Sequence, residues 1–67
     1  MILNNYLMNL VEREYKTRQQ FAEKIGVTVS NLYSIKNPTA SMLIRIKKAL
    51  TMMTDDEFVH LVESFID

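Results

Sequence analysis

The sequence contains no cysteine and no tryptophan, and it has one glycine and one proline. Without cysteine, the chain has neither a disulfide framework nor a thiolate metal site. Few glycines and prolines, together with 48% hydrophobic residues, indicate a compact helical fold and argue against disorder. No apolar run approaches the roughly 18 residues of a membrane span. The first ten residues lack the basic start and cleavage site of a secretory signal, so we expect a cytoplasmic protein.

The arrangements that enzymes use are also missing. The chain has no glycine-rich phosphate loop, no cluster of metal-ligating residues and no nucleophile–base pair. Its single histidine, His60, has no partner pattern that would make it catalytic, which favours a surface or interface role. Three consecutive acids at residues 55–57 are typical of a helix start rather than of a metal site. We therefore expect no enzymatic activity, no catalytic residue, no bound metal and no cofactor.

Basic residues are missing from the last third of the chain, although the net charge is zero. All eight lie between residues 13 and 48, where only Glu14 and Glu23 oppose them, which leaves an excess of six positive charges. Residues 49–67 carry five acids and no lysine or arginine. This uneven distribution allows one face to attract phosphates despite the neutral total.

A chain of 67 residues forms one small domain, which we take to span residues 1–67. Such a domain buries only about 60% of its unfolded surface, and oligomerisation is a common remedy for its marginal stability. Hydrophobic periodicity predicts five helices and no strand. The predicted helices cover residues 3–14, 18–25, 29–36, 40–50 and 55–66. Four threonines precede the last four helices as N-caps, and the final one forms a capping box with Glu57.

Residues 17–37, TRQQFAEKIGVTVSNLYSIKN, predict two short helices joined by a tight turn at Gly26. Ala22, four residues earlier, is small enough to let the second helix cross close to the first. Leu32 and Ile35 lie three residues apart on one face of that second helix. This spacing is typical of a helix-turn-helix. Its outward residues can meet DNA bases, and they are Val29, Ser30, Tyr33 and Ser34.

The same segment resembles the helix-turn-helix of Cro and phage repressors, the Xre-like family. The residues that carry the resemblance are Thr17, Arg18 in place of the usual glutamine, Ala22, Gly26, Thr28, Leu32, Ile35 and the Asn37-Pro38-Thr39 turn before an apolar helix at 42–50. They cover about half of the chain. The resemblance implies an all-α, five-helix lambda-repressor-like DNA-binding domain. It also implies a transcriptional repressor of Cro type, from a phage or prophage, that binds a pseudo-palindromic double-stranded operator as a dimer.

Two sets of DNA-contacting residues follow from this interpretation. The predicted base-contacting residues are Thr28, Val29, Ser30 and Ser34. The predicted backbone-contacting residues are Arg18, Tyr33, Lys36 and Asn37. An arginine at position 18 can clamp a phosphate with two hydrogen bonds. The alternative for both sets is an ordinary solvated surface.

The last predicted helix carries an apolar stripe that is wide for so small a domain. Its members are Phe58, Leu61, Val62, Phe65 and Ile66. We predict that the first four form a homodimer interface, with the alternative that all of them belong to the core of one chain. An alternative function also follows from this helix. The chain would keep the helix-turn-helix fold but bind another regulator as an antirepressor or antitoxin-like protein.

Overall fold

Five α-helices account for most of residues 4–66, which are the residues that the computed structural model describes. They are α1 (Asn5–Glu14), α2 (Arg18–Ile25), α3 (Val29–Tyr33), α4 (Ala40–Ala49) and α5 (Asp55–Ile66). Residues 4–66 contain no strand, so the expected all-α architecture is confirmed for this part of the chain. None of these helices is long and apolar enough to cross a membrane.

Threonine side chains start four of the helices, as predicted. Before α2, α3 and α4, the threonine Oγ1 accepts a hydrogen bond from the backbone N–H three residues later, each at 3.1 Å. Before α5, Thr54 and Glu57 form the predicted capping box, with bonds of 2.9 and 3.2 Å. The cap of α1 was not predicted. It is Asn4, whose Oδ1 accepts from the amide of Leu7 at 3.0 Å, while the predicted first residue, 3, lies outside the described residues.

Helix α3 ends at Tyr33, so the predicted extension to residue 36 is wrong. The amides of Ser34 and Ile35 bond to carbonyls only three residues back, at 3.1 and 3.5 Å, which tightens the last turn. The Ser34 hydroxyl also donates to the Ser30 carbonyl at 2.9 Å. Such a side-chain bond competes with the continuing helix ladder. Pro38 follows, and it disfavours helical geometry at the residue before it.

The core forms around α2, which packs against α1, α3 and α4, while α5 packs against α1. Helical spacing places the core residues of each element on one face. The buried side chains are Leu7, Met8, Leu10, Val11, Phe21, Ala22, Ile25, Leu32, Ile46, Ala49, Leu50 and Leu61. Each large one contributes about 1.5–3 kcal/mol relative to exposure. Among residues 4–66 no buried side chain is polar, so the core contacts of α3 are apolar.

Two charged residues at the end of α1 hold the connection between α4 and α5. Arg13 forms two hydrogen bonds with the Glu57 carboxylate, at 2.8 and 2.9 Å, and a third with the Met52 carbonyl. The Glu14 carboxylate accepts hydrogen bonds from the Thr51 amide and hydroxyl and from the Met52 amide. Desolvation opposes the charge on Glu14, but these bonds outweigh it and lower the pKa of the carboxyl. Helix α5 is thereby fixed relative to α1.

Candidate functional site

The turn between α2 and α3 depends on Gly26. Its φ is +81° and its ψ is 30°, which is the left-handed conformation predicted for this position. The Val27 amide bonds to the Ala22 carbonyl at 2.9 Å and the Gly26 amide to the Glu23 carbonyl at 3.2 Å, the pattern of a Schellman cap. Among the described residues, a Cβ on Gly26 would meet only the Arg45 Nη1 atom, at 3.9 Å. Glycine is therefore needed for its backbone conformation and not for space.

Helix α3 presents one apolar side to the core and one polar side to solvent. Leu32 is buried, and Val29 and Tyr33 are partly buried and packed against the core. Ser30 and Asn31 are exposed, as is Ser34 directly after the helix. At about 100° per residue, these three positions fall within roughly one third of the helix circumference. The exposed polar face therefore includes Asn31, which is not among the predicted DNA-contacting residues.

The hydroxyl groups on this face differ in which hydrogen bonds they can still form with a ligand. Thr28 accepts a hydrogen bond as the N-cap of α3, and its own proton stays available for donation. The Ser34 hydroxyl donates its proton to the Ser30 carbonyl. The side chains of Ser30 and Asn31 make no hydrogen bond to any residue in the range 4–66. Of the side chains of α3, these two have hydrogen-bonding groups that are available to an external ligand.

Arg18, the first residue of α2, links three helices. Its guanidinium donates to the Glu12 carboxylate of α1 at 2.8 Å and to the Tyr33 hydroxyl of α3 at 3.1 Å. Its Cζ also lies 5.5 Å from the centroid of the Tyr33 ring, within the range of a cation–π contact. The bonds to Tyr33 and Glu12 raise the pKa of Arg18. The side chain is about one third exposed, so part of the guanidinium still faces solvent.

Three further basic residues, Lys36, Arg45 and Lys47, differ in which part of the fold they lie near. Lys36, between α3 and α4, is exposed, as is the adjacent Asn37. Arg45 on α4 reaches toward Gly26, in the turn that precedes α3. Lys47 points the other way, toward α5, with its Nζ 3.9 Å from Asp55 and 5.1 Å from the centroid of the Phe58 ring. Cations therefore lie near both ends of α3, whereas Lys47 belongs to another surface.

That other surface contains a groove of about 330 Å³ between α4 and α5, which we call the α4–α5 groove. Its lining residues are Asn37, Pro38, Leu43, Val62, Phe65 and Ile66. Val62 and Phe65, both predicted at a dimer interface, line it, and Ile66 is 75% exposed at its edge. Phe58 is partly buried beside the core. Leu61 is fully buried within the chain, which leaves it no surface for a partner.

The acidic start of α5 has a structural role. The Glu57 carboxylate accepts hydrogen bonds from Arg13 and, in the capping box, from the Thr54 amide, in line with the predicted capping role. His60 is exposed, with Nδ1 3.6 Å from Glu63. Within residues 4–66, no three His, Asp or Glu side chains lie close enough together to hold a metal ion.

No model of a known protein family, no curated protein and no solved structure matches this chain.

Proposed function

We propose that this protein is a small cytoplasmic transcriptional repressor of Cro type that binds operator DNA through a helix-turn-helix made of α2 and α3. The observation that carries the proposal is the two-sided character of α3. Leu32 anchors one side in the core, while Ser30 and Asn31 on the other side are exposed and make no hydrogen bond within residues 4–66. A helix held in this way can enter the major groove, whose width of about 12 Å matches a helix with its side chains.

The charges around α3 support this mode of binding. Arg45 lies near the turn that precedes α3, and Arg18 lies beside Tyr33, the last residue of the helix. Lys36 follows a few residues later and is exposed. A helix in the major groove has a phosphate backbone on either side, so cations near both of its ends can contact both strands. These contacts fix the position of the protein, while α3 reads the bases.

We further propose that the repressor binds a pseudo-palindromic operator as a homodimer joined through the α4–α5 groove. Val62, Phe65 and Ile66 provide apolar surface there. A two-fold dimer presents two copies of α3 to half-sites about 34 Å apart. Repression then results from occluding polymerase at an overlapping promoter, without chemistry and without a cofactor. The assignment to a phage or prophage rests on the resemblance of residues 17–50 to the Cro-type family.

Fluorescence anisotropy with a labelled 30-base-pair duplex of arbitrary sequence tests the DNA-binding proposal. If a dimer places three cations per protomer on phosphates, the affinity falls by about 10³-fold between 50 and 200 mM salt. Arg18→Ala reduces both the affinity and the steepness of the salt dependence. Lys47→Ala removes the same charge from the α5 side and is expected to have a smaller effect. Undetectable binding at 50 mM salt, or binding independent of salt, contradicts the proposal.

A second function is favoured by the α4–α5 groove itself. An apolar groove beside an acidic helix also suits another regulator as its partner, in the manner of an antirepressor or antitoxin-like protein. Affinity purification with nuclease treatment separates the two functions. A stable protein partner that is retained without DNA, combined with no DNA binding by the purified chain, supports this second function.

A further inference from the structure

The exposed face of α3 offers few groups that can distinguish one base pair from another. The Ser34 hydroxyl has donated its proton to the backbone and can only accept, while Thr28 accepts as the N-cap and keeps a single proton to donate, so each offers one weakly discriminating hydroxyl contact. Val29 is partly buried against the core and offers only apolar contact. Ser30 is free, but a single hydroxyl can donate to or accept from any base edge and discriminates poorly. Sequence reading therefore needs another side chain.

Asn31 has the chemistry that the other residues on this face lack. Its side chain is exposed and makes no hydrogen bond within residues 4–66. Its backbone is fixed, because its amide donates to Thr28 Oγ1 at 3.1 Å in the first turn of α3. It carries the only carboxamide in α3. A carboxamide has a donor and an acceptor side by side, and this pair matches N7 and the N6 amino group of adenine in the major groove.

We propose that Asn31 is the principal specificity-determining residue of α3, and that each operator half-site places an adenine opposite it. The Asn31 Nδ2 group donates to adenine N7, and its Oδ1 accepts from the N6 amino group. The inference rests on the proposed function, because it requires α3 to lie in the major groove. A two-point contact of this kind discriminates against other bases by about 5- to 150-fold.

Selection from a pool of duplexes with 20 randomised base pairs provides the test. Wild type, Asn31→Ala and Ser30→Ala are each selected, and their affinities are then measured on the enriched duplex and on its singly substituted versions. The wild type should enrich an A·T pair at one position in each half-site. Asn31→Ala should lose the preference at that position, by about 5- to 150-fold, and keep both its other preferences and its salt dependence. Ser30→Ala, its matched neighbour, should keep the adenine preference.

The possible failures are distinguishable. If the wild type enriches a sequence and Asn31→Ala keeps every preference, the inference about Asn31 is overturned while the proposed function stands. The same holds if the preference lost on Asn31→Ala is for a G·C pair. If the wild type neither binds duplex DNA nor enriches a sequence, the proposed function fails together with the inference. Alanine suits an exposed helical position, so an unchanged melting temperature should exclude misfolding as the cause of any loss.

Discussion

The Arg18 side chain has two hydrogen-bond partners among residues 4–66 and, on the proposed function, a third in DNA. Glu12 holds one edge of its guanidinium at 2.8 Å, and Tyr33 holds another at 3.1 Å. A phosphate that approaches α3 competes with the Glu12 carboxylate for the same donors. Because exposed pairs of this kind contribute about 0.2–1 kcal/mol, DNA can displace Glu12 at small cost. On the proposed function, Glu12 therefore lowers DNA affinity by about as much as its pair with Arg18 stabilises the fold.

Replacing Glu12 by glutamine should strengthen DNA binding. The change frees the Arg18 guanidinium and removes a negative charge near α3, so we expect an increase of up to about fivefold per half-site at 50 mM salt. Anisotropy with a labelled duplex measures this increase. The matched control is Glu63→Gln, which removes an exposed carboxylate from α5. Equal increases in the two variants would show that only net charge matters and that Glu12 does not restrain Arg18.

The Arg13–Glu57 pair should make stability depend on acid pH. Hydrogen bonds from Arg13 and from the Thr54 amide lower the pKa of Glu57 from 4.5 to about 2. Since the unfolded chain binds this proton more tightly, the pair stabilises the fold fully above about pH 4.5, and its contribution is lost as the pH falls toward 2. Thermal melts should show Glu57→Gln less stable than wild type at pH 6, with the difference closing by pH 2. A difference that stays constant with pH would rule out this role. Asp56→Asn, which removes a neighbouring acid at the start of α5, provides the control.

At the scale of elements, the turn at Gly26 decides how α3 is presented. The residue has a φ of +81°, and within residues 4–66 the end of the Arg45 side chain is the one group near the position of a Cβ. The penalty for any other residue is therefore a matter of backbone conformation. Left-handed geometry costs a residue with a Cβ about 1–2 kcal/mol, and asparagine tolerates it better than alanine.

Gly26→Ala should destabilise the protein by about 1–2 kcal/mol, and Gly26→Asn by less. For a domain of this size, each kcal/mol lowers the melting temperature by about 4–8 °C. Thermal unfolding followed by circular dichroism ranks the three proteins. Equal stability of the alanine and asparagine variants would show that the left-handed conformation does not set the cost.

Local signals in the sequence were enough to predict most of the elements. The threonine caps, the capping box at Thr54 and the glycine turn depend on residues within four positions of one another, and the structure confirms them. The end of α3 was predicted wrongly because Ser34 bonds back to the Ser30 carbonyl, a competition that hydrophobic spacing does not register. The exposure of Asn31 depends on how the short helix α3 is rotated on the core, which its own sequence does not specify.

Across the whole domain, contacts between residues that are far apart in the sequence could not be predicted. Arg13 reaches Glu57, 44 residues away, only because the core brings the C-terminal end of α1 close to the start of α5. The apolar stripe of α5 could be predicted from the sequence, but which of its residues are buried and which line the groove could not. Leu61 is buried in the core, whereas Val62 and Phe65 line the α4–α5 groove. Which residues of α5 are buried and which line the groove depends on the positions of α4 and Pro38.

Self-association through the α4–α5 groove should be sensitive to Ile66. This side chain is 75% exposed at the edge of the groove, so Ile66→Asp should leave the fold intact and place a charge in the proposed dimer interface. Analytical ultracentrifugation should find a dimer for the wild type and a monomer for the variant. Ile44→Asp, at an exposed isoleucine outside the groove lining, should remain a dimer. A monomeric wild type at 100 µM, or loss of the dimer in the Ile44 variant alone, would contradict this interface.

Amide chemical-shift mapping during titration with a duplex shows whether DNA binds at α3. The backbone amides of residues 28–36 and of Arg18 should shift progressively as duplex is added at 50 mM salt, and 300 mM salt should reverse the changes. Those of residues 58–66 should move little, unless DNA promotes dimerisation, and Ile66→Asp removes that contribution. Shifts confined to the lining of the α4–α5 groove, or no shifts at all, would contradict DNA binding at α3.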